Sequence, residues 1–107
     1  MANTYVNAKV DLTTTNITTL YTCAALTTGI VKSILVSEDS INADTITLTI
    51  TDASSAVFSI YKTKAVSANG TVELLTAPLV VQASEILKVT AATANRLHVV
   101  ASILEIT

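Results

Sequence analysis

The chain holds no Trp, one Phe, one His, one Cys, one Pro and two Gly among 107 residues. Each scarcity removes a class of protein. With Cys23 alone, no intrachain disulfide can form, which excludes a small disulfide-stapled scaffold. Set between Thr22 and Ala24 with no neighbouring base, Cys23 reads as a small buried apolar residue and not as a nucleophile. His98 is the only imidazole, and no His-x-His or Cys-x-x-Cys spacing supplies metal ligands around it. No Ser/His/Asp or paired-carboxylate spacing marks a catalytic centre either. The expectation is a protein that is no enzyme, with no cofactor and no metal.

Charge is scarce as well. Six Lys and Arg against eight Asp and Glu give a net charge of −2. The basic residues Lys62, Lys64, Lys88 and Arg96 are scattered, and rings for base stacking are nearly absent, so no nucleic acid is expected as a partner. No apolar run exceeds five residues, against the roughly 20 that a membrane-spanning helix needs. The N-terminus shows no basic region followed by an apolar run, so no cleaved secretion signal is expected. Only 13% of residues are charged while 50% are hydrophobic, and a typical domain carries about 25% charge. Either Thr and Ser solvate the surface or copies and partners cover much of it, and the strand patterns below favour cover.

The abundant residues are β-branched: nineteen Thr, twelve Val and ten Ile, types that suit a pleated, half-buried surface. Their spacing is period two almost throughout. In DTITLTITD (44–52), Ile46, Leu48 and Ile50 share one face, and Thr45, Thr47, Thr49 and Thr51 share a water-facing one. Similar runs occupy 4–12, 18–23, 30–37, 56–62, 71–75, 79–82, 86–91 and 96–106. Within 30–37, Ile30, Ile34 and Val36 fall on one side, and Val31, Ser33, Leu35 and Ser37 on the other. Polar turns separate the runs: Glu38 to Asp44, Asp52 to Ser55, and Asn69-Gly70, two residues suited to positive φ. Pro78 opens its run, where a missing N–H costs least and an edge position is expected. With no linker, residues 1–107 read as a single all-β domain. The pattern is that of one antiparallel β-sandwich, jelly-roll or immunoglobulin-like, of about eight strands.

The last run, 96–106, is apolar on both faces. Leu97, Val99, Ala101 and Ile103 point one way, and Val100, Leu104 and Ile106 the other, with His98 and Ser102 between them. A strand inside a two-layer antiparallel sandwich normally has one wet face, so this one calls for a second cover. The expected interface therefore centres on Val100, Leu104 and Ile106, or on Leu79, Val80 and Val81 of the run after Pro78. His98 is expected as a strand residue at that interface. Glu38, Asp39, Asn42 and Asp44 concentrate oxygen atoms, but Ile41 and the missing Gly break the calcium-loop pattern, and a solvated loop is the expectation.

Three stretches together resemble a known family: TTLYTCAALTTGIVKSILVSED (18–39), DTITLTITD (44–52) and NGTVELLTAPLVVQASEILKVTAATANRLHVVASILEI (69–106). They are similar to the small all-β virion proteins of tailed bacteriophages, in the order of a Thr-Leu-Tyr-Thr strand, a Val-Lys-Ser-Ile-Leu-Val strand, a Thr-rich strand and a Leu-Lys-Val-Thr strand before an apolar C-terminal one. Cys23, Ala24, Ala25 and Leu26 depart from the Val-Pro-Ala-Gly turn that often follows Tyr-Thr there. The resemblance implies a non-enzymatic structural protein of the virion, made in the host cytoplasm. It favours a capsid decoration or cement protein that forms a homotrimer and binds the major capsid protein or another virion protein. The alternative is a tail, neck or fibre-associated adaptor or receptor-binding module, with contacts from loops 38–44 and 62–70.

Overall fold

A computed structural model describes residues 2–107. Nine strands follow one another: β1 (Asn3–Asp11), β2 (Thr18–Thr22), β3 (Thr28–Glu38), β4 (Asp44–Thr51), β5 (Val57–Val66), β6 (Thr71–Glu73), β7 (Leu79–Val81), β8 (Ile86–Ala91) and β9 (Leu97–Ile106). They form two antiparallel sheets. The front sheet runs β1-β9-β3-β6, with β7 also on β3, and the back sheet runs β2-β8-β4-β5.

The pairing distinguishes between the two sandwich topologies. β1 pairs with β9, β2 with β8, β3 with β6 and β7, and β4 with β5. The chain thus goes out through four strands and returns along them as one long antiparallel ribbon. Successive pairs of that ribbon alternate between the sheets, which is the jelly roll and not the immunoglobulin arrangement. The nine segments fill eight positions, because β6 and β7 share the free edge of β3. Two strands are longer than their patterns suggested: β3 gains a residue or two at each end, and β5 continues to Val66, so the 62–70 loop shrinks to 67–70.

Period two gives each sheet an inner face. Val31, Ile34 and Val36 of β3 and Leu97, Val99, Ala101 and Ile103 of β9 meet Ile46 and Leu48 of β4 and Leu87 and Val89 of β8, all essentially without exposure. Truncating one of these Leu or Ile side chains to Ala costs about 2–5 kcal/mol. Near one end the sheets are tied directly: the Tyr21 hydroxyl donates to Glu105 Oε2 at 2.6 Å. Burial first, then this bond, pushes the phenol well above the usual tyrosine range. Tyr21 lies over Gly29, where a Cβ would sit 2.9 Å from its hydroxyl oxygen, so glycine is needed there for close approach.

Glycine is otherwise hardly used. Leu26, Ile41, Ser55, Thr63, Asn69, Ser84 and Asn95 take φ between 54° and 70°, whereas neither Gly is in the left-handed region. Of Asn69-Gly70, only Asn69 adopts positive φ. Carboxylates hold several of these turns. Asp52 Oδ1 accepts from the Ser54 and Ala56 amides at 2.9 Å. Asp44, nearly buried, accepts from the Thr93 amide at 3.1 Å, and Arg96 donates to the Ala43 carbonyl at 3.0 Å. Glu38, 2% exposed, accepts from the Ser40 amide at 2.7 Å, the Ser40 hydroxyl and the Asn69 amide at 3.0 Å, joining two loops. Where β6 gives way to β7, Glu73 takes the Ile34 amide at 2.8 Å, the Ser33 hydroxyl and the Leu75 amide at 3.2 Å. Its carboxylate substitutes for the missing ladder partner.

These bonds make stability pH-dependent. Desolvation alone would raise Glu38 and Glu73, but the hydroxyl and amide donors outweigh it and hold both below the ordinary carboxylate range. Their contribution is complete above the unfolded value of about 4.3 and drains away as pH falls through the lower folded one. Thermal melts should therefore show Tm falling below about pH 4.3, and Glu38→Gln should have a lower Tm at pH 7 and a flatter acid limb than the parent. An unchanged limb would count against this role for Glu38.

Candidate functional site: the outer face of the front sheet

The register of the front sheet lines up its outward side chains in rows across the strands. Tyr5 is opposite Leu104, Leu104 opposite Ile30, and Ile30 opposite Val80. One apolar row thus crosses every strand position, about 14 Å wide at the usual strand spacing. Tyr5 is 77% exposed and Val80 51%, and Leu104 and Ile30 are half-buried between them. Ile106 flanks the row on one side. On the other side comes a polar row of Asn7, Ser102 and Ser33, and then Lys9, Val100, Leu35 and Glu73. The last row is polar and charged: Asp11, His98, Ser37 and Thr71.

The expected interface residues divide. Val100, Leu104 and Ile106 do lie on the outer face, with Val100 40% exposed. Leu79 and Val81 turn inward: Val81 has no exposed surface and Leu79 packs on the core. Val81 has no surface with which to touch another molecule and Leu79 is only partly exposed against the core, so these two are corrected to inward-facing residues, and Val80 between them is the exposed one. Antiparallel pairing explains it, because Leu79 and Val81 sit opposite Val31 and Gly29, which face inward. Ile30 is also reassigned. A bulge between Val31 and Ser33 puts Lys32 out of register, so Ile30 faces outward while Ile34 and Val36 face the core. Tyr5 and Ile30 were not singled out from the sequence. Their alternation was visible, but the row exists only through pairing between distant segments.

His98 sits at the polar end of this face, with Nε2 3.2 Å from Asp11 Oδ1 and Nδ1 3.5 Å from Asp39 Oδ2. All three side chains are substantially exposed, so these pairs contribute little to stability. Beside them is a shallow depression of about 280 Å³ lined by Lys9, Val10, Asp11, His98, Val99 and Val100. Among the described residues, no three His, Cys, Asp or Glu side chains converge on a metal position. Cys23 is buried and donates its thiol to the Thr27 carbonyl at 3.3 Å. In loop 38–44, Glu38 and Asp44 are structural braces, and of the four oxygen-bearing residues only Asp39 and Asn42 are exposed. The Thr row of β4 is drier than expected: Thr45, Thr47 and Thr49 are half-buried and Thr51 is 7% exposed. Thr47 Oγ1 accepts from the Thr63 amide of the neighbouring strand at 3.1 Å.

No family model and no curated protein matches the sequence. Among solved structures, two crystal structures of a pentameric capsid protein from metagenomic phage sequences are similar at 20% and 21% identity, with TM-scores of 0.46 and 0.44. The alignments cover 94% of this chain and 58% and 60% of theirs. The CBM22-1 and GH10 modules of Clostridium thermocellum xylanase 10B align at 11% identity and a TM-score of 0.41, over 96% of this chain and 24% of that one. The chain spans less than two thirds of the length of each. At these scores the likeness carries no functional argument, and the jelly-roll assignment rests on the strand pairing.

The opposed orientations of neighbouring residues can be measured. Val81→Ala should destabilise the chain by about 1–3 kcal/mol, whereas Val80→Ala should stay within about 0.5 kcal/mol. Urea unfolding of the two variants distinguishes them, and equal losses would contradict the assigned register.

Proposed function

We propose that this chain is a non-enzymatic structural protein of a bacteriophage particle, a capsid decoration or cement protein that seats the outer face of its front sheet on the shell and on neighbouring copies. The observation that carries the reading is the row Tyr5, Leu104, Ile30 and Val80. A jelly roll gains nothing in its own stability by presenting an apolar row to water, and an apolar centre with polar surroundings is how binding surfaces are built. The scarcity of charge supports the same reading, and the resemblance of the strand residues to small phage virion proteins supplies the setting. The partner is then the major capsid protein, and the trimer implied by that resemblance is one way for copies to share the face.

A place in the tail, neck or fibre is the second reading. It draws on the opposite end of the sandwich, where Ile41 projects from the β3–β4 loop, 74% exposed and at a φ of 70°. Copy number per particle distinguishes the two, since a shell protein is present in hundreds and a tail or neck protein in tens or fewer.

For the shell reading, Leu104→Asp and Val80→Asp should each weaken binding to undecorated capsids by about tenfold or more, the effect of losing one buried aliphatic contact, while circular dichroism stays that of the parent. Unchanged occupancy in both variants would overturn it.

A further inference from the structure

A sandwich has four open sheet edges, and three of these carry devices that discourage pairing with another strand. The β2 edge is five residues long, with a register shift between Thr19 and Tyr21. The β5 edge shifts twice against β4 and carries Lys62 and Lys64, with Thr63 between them at a φ of 56°. The β6/β7 edge is interrupted at residues 74–78, which include Pro78, and beside the break the Glu73 carboxylate takes the Ile34 amide in place of a ladder bond. The fourth edge, β1, has only one of these, Lys9. Its nine residues pair with β9 from Asn3 to Asp11 without a shift, and it holds no Pro and a single Lys.

The orientation of its free groups follows from the ladder. Ala2 and Thr107 exchange two backbone bonds and the Leu12 amide donates to the Leu97 carbonyl, so the even-numbered residues face β9. The amides and carbonyls of Asn3, Tyr5, Asn7 and Lys9 therefore point away from the sheet, where no other strand among the described residues pairs with them. The inward side chains of this strand are also incompletely covered: Val6, Ala8 and Val10 pack against the core yet remain half-exposed.

We propose that β1 is a self-pairing edge that joins two copies of this chain antiparallel about a two-fold axis at Asn7. The occupant is a second copy because the strand is complementary to itself in the one register that overlaps all nine residues. There Asn7 meets its own counterpart, Tyr5 lies opposite Lys9 of the second copy, and Asn3 lies opposite Asp11. On the inner side Val6 faces Ala8 and Val10 faces Thr4, so apolar surface left half-exposed in one copy is covered by the other. Lys over Tyr is a favourable cation–π pair. Moving the axis to Lys9 would instead set two lysines face to face. A two-fold axis perpendicular to the sheet turns both outer faces the same way, so the two apolar rows lie on one side of a continuous eight-position sheet.

The test uses the purified full-length chain with Asn7→Lys and Asn7→Asp, exposed substitutions that place like charges across the axis. Sedimentation should show the parent as a dimer, or as assemblies built from dimers, with each variant alone dissociating at about tenfold higher concentration or more. An equal mixture should recover the parent's affinity as a Lys/Asp heterodimer identified by native mass spectrometry. A monomeric parent, or a mixture no tighter than its components, would overturn the pairing. Shell binding separates this from the decoration reading: loss of pairing in N7K with capsid binding retained supports the edge as a distinct surface, and Leu104→Asp dimers that fail to bind shells show the pairing standing on its own.

Discussion

The molecule is organised around β9, which has a hydrogen-bonded neighbour along each edge and apolar residues on each face. β1 and β3 take their registers from it, and its inward residues Leu97, Val99, Ala101 and Ile103 form the middle of the core. The sheets close only when this last strand slots between the first and the third. The outer row depends on the same event, since Leu104 is the link between Tyr5 and Ile30. Core and candidate interface are thus two faces of one insertion, and a shift by one residue would exchange them.

Strand positions were legible because alternation is a local property: a dry Ile-Leu-Ile face against a Thr face needs only one segment to be seen. Topology was not, because β1 meets β9 across nearly the whole chain and nothing local encodes that pairing. Parity failed where the chain breaks its own rhythm. Three consecutive apolar residues after Pro78 give no alternation from which to choose a face, so nothing local turns Leu79 and Val81 inward and Val80 outward. At Lys32 a bulge reverses the phase midway along β3, which moved Ile30. The double-faced character of 96–106 was plain from its residues, and so was the outward side of Val100, Leu104 and Ile106.

The loop carboxylates show a different limit. Glu38 and Asp44 read as solvated acids in a polar loop, yet both are nearly buried and occupied by backbone amides. Whether an acid meets water or an amide depends on where the other loops end. With so little glycine, seven other residues among those described adopt left-handed backbone, a conformation that costs most L-residues about 1–2 kcal/mol each. Carboxylate braces are what this chain uses to hold several of those turns in place.

Ala2 and Thr107 lie side by side, exchanging backbone bonds at one end of the sandwich. A pull that separates Ala2 from Thr107 therefore opens the β1–β9 ladder one pair at a time, like a zip.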